Sequence, residues 1–112
     1  VNIQIFGKPK CFDTKKAERY FKERGIKYQL IDLPTKGMSK GEYASVKQAV
    51  GGMAPLVDTA SKAYEQQFMA YILPEAAEAK LLEHPSLFKT PIVRNGKQAT
   101  IGYCPEVWAK WE

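Results

Sequence analysis

Asn2-Ile3-Gln4-Ile5-Phe6, then Gly7-Lys8-Pro9-Lys10, then Cys11-Phe12-Asp13-Thr14-Lys15-Lys16-Ala17: the reading of this chain turns on this stretch. Ile3 and Ile5 alternate with Asn2 and Gln4, the pattern of a strand with one buried face. The four residues after Phe6 are turn chemistry. From Phe12 onward an amphipathic helix opens, so Cys11 stands where a strand hands over to a helix. A thiol there faces unpaired backbone N–H groups and the positive end of the helix dipole. Both favour the thiolate, the form that attacks electrophiles and disulfides. Lys8, Lys10, Lys15 and Lys16 push the same way, and Asp13 pushes back. A redox or nucleophilic site at Cys11 is expected, although these residues name no substrate. The other reading of such a cysteine is a packing role in the core.

Outward from this stretch, Ala17, Tyr20, Phe21 and Arg24 fall at helical spacing, and Gly25 is a stop. Residues 26–32 read as a second strand, and two strands around one such helix imply a parallel, right-handed crossover. Residues 33–37 break the pattern. Ser39 and Glu42 spell a capping box, Tyr43, Val46 and Val50 form the apolar stripe behind it, and Gly51-Gly52 ends that helix. Residues 55–58 read as a loop or a short extended piece, and 59–67 as a short helix containing Tyr64. Pro74 opens a helix that continues over 75–84 with Leu81 and Leu82. Residues 91–94 and 97–101 are strands joined at Asn95-Gly96, a strong hairpin signal. Residues 102–105 turn the chain into a last short helix over 106–111, where Trp108 and Trp111 look like a core stripe. The expectation is a single α/β domain over 1–112: βαβ, an all-helical insert over about 38–84, then ββα in one mixed sheet.

The 112 residues suffice for one domain with a modest core. An apolar content of 45% and a charged content of 26% fit a soluble globular protein. No apolar run approaches the length of a membrane span, so no membrane role is expected. No charged-then-apolar leader is visible. The chain opens on Val1, so a few leading residues are expected ahead of it. Two cysteines, Cys11 and Cys104, are not a disulfide framework, and a reducing cytoplasm is the expected setting. The net charge of +5 is spread along the chain and reads as solubility. Aromatic residues are not interleaved with a basic patch, so no direct nucleic-acid binding is expected. His84 is the one histidine, its place at a helix end suits the dipole, and no metal site is expected.

A βαβ unit with a cysteine after its first strand, closed by ββα, is the layout of a thioredoxin-like domain, and the helical insert narrows it. The chain resembles the bacterial arsenate reductase family of the glutaredoxin type (ArsC), which includes the Spx-type transcriptional regulators. The matching blocks are Ile5-Phe6-Gly7-Lys8-Pro9-Lys10-Cys11, Thr59-Ala60-Ser61-Lys62-Ala63-Tyr64, His84-Pro85-Ser86-Leu87-Phe88-Lys89-Thr90-Pro91-Ile92-Val93 and Ile101-Gly102-Tyr103. The resemblance implies a cis peptide between Thr90 and Pro91, both lining a substrate groove beside Cys11. It implies Cys11 as catalytic nucleophile; Lys10, Thr14 and Lys15, close to it in sequence, are the residues expected to stabilise its thiolate. Thr14 can start the helix as a capping residue or donate its hydroxyl to the sulfur, and the two roles are compatible.

The chain also departs from the family's pattern. Arsenate-reducing members hold the oxyanion with arginines, whose planar forks suit tetrahedral oxyanions. This chain has Ala60, Thr90 and Cys104 where those arginines are expected, and Thr14 where many members carry a second cysteine. Lys62, Lys89 and Arg94 are the basic groups that could partly replace the arginines. Cys104 is either a resolving cysteine facing the same cleft as Cys11 or an inert residue on a turn. The resemblance then implies an arsenate reductase-like thiol oxidoreductase, poor at arsenate reduction, a monomer with no bound cofactor. Its partners would be thiols: glutathione or another small thiol as co-substrate, glutaredoxin or thioredoxin. The alternative is an Spx-type regulator that binds the C-terminal domain of the RNA polymerase α subunit, with Gly52 on the partner-binding surface.

Overall fold

The computed structural model describes residues 3–111. A four-stranded sheet forms its centre, in the order β2-β1-β3-β4, from β1 (Ile3–Gly7), β2 (Tyr28–Asp32), β3 (Ile92–Asn95) and β4 (Gln98–Ile101). β2 runs parallel to β1, and β3 and β4 are antiparallel to their neighbours. The expected start of β1 at Asn2 lies outside the described residues. The parallel pair is bridged by helix α1 (Phe12–Glu23), the crossover that two parallel neighbours require. This is the thioredoxin-like mixed sheet that the sequence leads one to expect.

Alternation along the strands sorts the apolar residues onto the two faces. Ile3, Ile5 and Val93 pack with Ala17, Tyr20, Phe21 and Trp108. That cluster lies under α1 and the last helix, α6 (Pro105–Trp108). Trp108 is fully buried, its indole N–H donates to the Thr100 hydroxyl at 2.8 Å, and its ring centroid sits 5.1 Å from those of Tyr20 and Phe21. Such aromatic contacts contribute about 0.5–1.5 kcal/mol each beyond their burial. Phe6, Ile31 and Ile92, paired across the sheet, face the other way into the helical segment.

That segment comprises α2 (Leu33–Lys36), α3 (Lys40–Val50), α4 (Lys62–Gln66) and α5 (Pro74–Glu83). Residues 33–37, expected as a break, form a helical turn. Pro34 sits in its first turn, where no N–H is needed, Thr35 donates its hydroxyl to Asp32, and Gly37 ends it at φ 68°. α3 has the capping box read from Ser39 and Glu42, and Gly51 closes it in the left-handed region. α4 starts later than expected. Asp58 first accepts the Ala60 N–H in a local turn, and Ser61 then caps the helix through the Tyr64 N–H. The hairpin loop is Gly96-Lys97, one residue beyond the expected Asn95-Gly96, because Asn95 pairs with Gln98 and Gly96 supplies the positive φ of 60°. The Thr90–Pro91 peptide leading into β3 is cis.

Candidate active site

β1 ends at Gly7, and the chain turns back at once: the Cys11 N–H donates to the Lys8 carbonyl at 3.2 Å. Cys11 is the N-cap of α1, extended at φ −88° and ψ 115°, and its carbonyl accepts the Lys15 N–H at 3.3 Å. Cys11, not Thr14, holds the N-cap place, which sets its side chain beside the open N–H groups of the first turn. Thr14, one turn in, is only 4% exposed. It lies so close to Gly7 that a Cβ there would meet Thr14 Oγ1 at 2.8 Å and its Cγ2 closer still. Gly7 therefore sets how near Thr14 can come to the strand, a role that nothing in its turn-forming character announces.

From the other side the cis-proline segment arrives, and the Cys11 thiol donates to the Thr90 carbonyl at 3.6 Å. Pro91 is buried just beyond it. The structure thus brings Cys11, Thr14, Thr90 and Pro91 together, although they come from the two ends of the chain. Burial pushes the half-buried thiol up. Hydrogen bonds from the Thr14 and Thr90 hydroxyls and from the Thr14 and Asp13 backbone N–H groups outweigh it, so the thiol ionises below its ordinary value. The Thr14 hydroxyl is buried and has no other hydrogen-bond partner. It is free to donate to the sulfur.

The lysines divide differently from their order in the sequence. Lys10 and Lys15, expected beside the thiolate, have exposed side chains, where water screens their charge. Lys16 is exposed too and pairs with Asp13 at 3.9 Å. Lys8 is placed differently. It is half-buried, donates to the Ser86 carbonyl at 2.8 Å and interacts electrostatically with Asp58 and Cys11. Burial lowers its pKa, and the two anionic partners offset part of that. Lys62 and Lys89 are exposed, and Arg94 is engaged across the sheet with Gln4 at 2.7 Å and Ser45 at 3.5 Å. Ala60 is exposed on the turn before α4.

Cys104 caps α6, donates its thiol to the Ile101 carbonyl at 3.3 Å and packs against the Trp108 cluster. Burial and Glu106 push its thiol up. The two cysteines are both free thiols, in opposite electrostatic settings. Gly52, at φ 139°, closes α3 by donating to the Lys47 carbonyl at 2.9 Å, and a Cβ on it would point into open space. His84 caps the C-terminal end of α5. Among the described residues no group of three or more His, Cys, Asp or Glu side chains could hold a metal ion, and no helix is long and apolar enough to cross a membrane.

Comparison with known proteins identifies the family. The ArsC family model matches residues 6–111, and the chain belongs to that family. Among curated proteins it is similar to the global transcriptional regulator Spx 2 of Oceanobacillus iheyensis, 30% identical over 108 residues, covering 92% of this chain and 78% of the relative. It is 24% identical over 106 residues to Spx of Streptococcus agalactiae, covering 90% and 76%. Among solved structures, an arsenate reductase from Vibrio cholerae superposes with a TM-score of 0.85 at 24% identity, covering 97% of this chain and 96% of that one. An ArsC family related protein from Bacteroides fragilis gives 0.84 at 20%, with both chains fully covered. At these identities the structural matches speak for the fold.

Proposed function

Starting from membership of the ArsC family, we propose that this chain is a thiol oxidoreductase that works through Cys11 and reduces arsenate poorly. The observation that carries the reading is the Cys11 sulfur itself: an N-cap thiol held below its ordinary pKa by two threonine hydroxyls and two backbone N–H groups. The Cys11 thiolate attacks one sulfur of a mixed disulfide between a substrate and glutathione. The glutathionyl–Cys11 bond forms, the old S–S bond breaks, and the substrate leaves as its thiolate. A second glutathione thiolate attacks the Cys11-bound sulfur, releasing oxidised glutathione and restoring Cys11. Thr14, whose hydroxyl serves the charged sulfur, favours Cys11 both before attack and as the leaving group.

The resolving thiol is better sought outside the chain. Cys104 bonds to its own turn and is pushed toward the neutral thiol, whereas attack needs a thiolate. Ala60, Thr90 and Cys104 offer no guanidinium, so a tetrahedral oxyanion finds no planar fork at those places. The test pairs two assays on one preparation: release of glutathione from a mixed-disulfide peptide, and arsenate reduction with glutathione and glutaredoxin. Peptide turnover lost in Cys11→Ser, kept in Cys104→Ser, with arsenate turnover near background, is the expected result. Efficient arsenate turnover, or peptide turnover surviving Cys11→Ser, overturns it.

A second reading is favoured by the curated relatives, which are Spx regulators. In it the chain binds the C-terminal domain of the RNA polymerase α subunit, and Gly52 lies on the contact surface. Its open surroundings leave room for a partner rather than for a packed side chain. A pull-down with that domain that is lost in Gly52→Arg supports this reading; no capture by the unaltered protein removes it.

A further inference from the structure

Among the lysines around the first turn, Lys8 is the one whose position the fold fixes. The turn that closes on its carbonyl through the Cys11 N–H sets its backbone. Its ammonium is anchored on the Ser86 carbonyl at 2.8 Å, in the turn Pro85–Leu87 that leads toward Thr90 and Pro91. One of its three hydrogens is spent there, leaving two to face an anion. Of its two anionic partners, Asp58 already accepts the Ala60 N–H at 3.1 Å. The other, Cys11, has a charge that comes and goes with the chemistry. When the sulfur enters a disulfide, its negative charge departs on the leaving thiolate. The ammonium is then left with Asp58 and with any charge that the new substituent brings. A lysine ammonium is a compact point charge, suited to a single carboxylate and not to the forked pairing of an arginine.

We propose that Lys8 is the specificity-determining residue of this site, selecting carboxylate-bearing thiols and disulfides over neutral ones for reaction at Cys11. The inference rests on the reading of Cys11 as nucleophile and adds the substrate class. Lys8 attracts the incoming anionic reagent and holds it after the S–S bond has formed. Asp58 opposes such a reagent, Lys10 and Lys15 are exposed, and Lys16 is paired with Asp13.

The experiment compares alkylation by iodoacetate and by iodoacetamide at pH 7.5, in a Cys104→Ser background so that only Cys11 reacts. In both reactions the thiolate displaces iodide from carbon, and the reagents differ in one negative charge. Their rate ratio cancels the thiolate fraction and reads the charge at the site alone. The ratio should exceed that of free cysteine, fall about fivefold in Lys8→Gln, as for a partly exposed charge pair, and recover in Lys8→Arg. A merely structural Lys8 moves both rates together. An unchanged ratio in folded Lys8→Gln overturns the proposal. Should that variant fail to fold, the unaltered protein decides. A ratio that drops toward that of free cysteine in 1 M salt supports the proposal, since such salt screens beyond about 3 Å; a ratio indifferent to salt overturns it. Failure of the nucleophile reading shows separately, in mixed-disulfide turnover that survives Cys11→Ser, and leaves this ratio to be judged by itself.

Discussion

Replacing Thr14 with valine should separate reactivity from stability. The residue is 4% exposed, and its hydroxyl has no other hydrogen-bond partner. The same hydroxyl favours the Cys11 thiolate. Valine keeps the branched shape and replaces the oxygen with a methyl. A hydrogen bond to a charged group is worth about 1.5–3 kcal/mol. The sulfur is half-buried, so the lower end applies, about 1.5 kcal/mol, which is close to a factor of ten. At pH 7, iodoacetamide should therefore alkylate Cys11 about tenfold more slowly in Thr14→Val, and the two proteins should converge where both sulfurs are ionised. The effect on folding has the opposite sign. A buried hydroxyl without a partner costs about 1–3 kcal/mol, so urea unfolding at pH 5.5 should find the variant equal to the unaltered protein or up to about 1 kcal/mol more stable. Equal alkylation rates at pH 7 would refute the role given to Thr14. A clear loss of stability at pH 5.5 would show that the hydroxyl has a partner in the neutral state.

Gly7→Ala should cost about 1–3 kcal/mol in urea unfolding, the range for forcing a methyl into a filled space, and should slow Cys11 alkylation as well, because the added Cβ displaces Thr14; unchanged alkylation would detach Gly7 from the site. Trp108→Phe removes the donor to Thr100 from a fully buried position and should destabilise by about 2–4 kcal/mol; a loss below about 1 kcal/mol would contradict the weight given to that cluster. The lowered Cys11 pKa also links folding to pH. The folded thiol ionises below the unfolded one, so its contribution is complete above the free-thiol value of about 8.5 and is lost as pH falls through the folded value. The stability advantage of the unaltered protein over Cys11→Ser should thus grow from pH 5.5 to pH 9, and a flat difference would argue against the shift.

What could be read from sequence followed the range of the interactions. The capping box at Ser39 and Glu42, the stop at Gly51 and the N-cap place of Cys11 depend on neighbours a few residues away, and they stand where expected. The hairpin slipped by one residue because its register is set by pairing along two strands and not by the Asn-Gly pair alone. Residues 33–37 became a helical turn because Pro34 is tolerated in a first turn as well as in a break. At the site, four nearby lysines looked equivalent. Lys8 is set apart by a carbonyl 78 residues away in sequence, and no local pattern carries that contact. Gly7 escaped notice for the same reason, since its importance lies in the approach of a side chain from the next turn. Cys104 stood out as a second thiol, while its bond to Ile101 and its packing on the Trp108 cluster depend on how the last turn closes.

The most direct measurement is the rate of Cys11 alkylation by iodoacetamide across pH 4–10 in the Cys104→Ser protein. A single titration with its midpoint clearly below that of free cysteine, about 8.5, and shifted upward in Thr14→Val is the result this account predicts. A midpoint at or above that of free cysteine would contradict it.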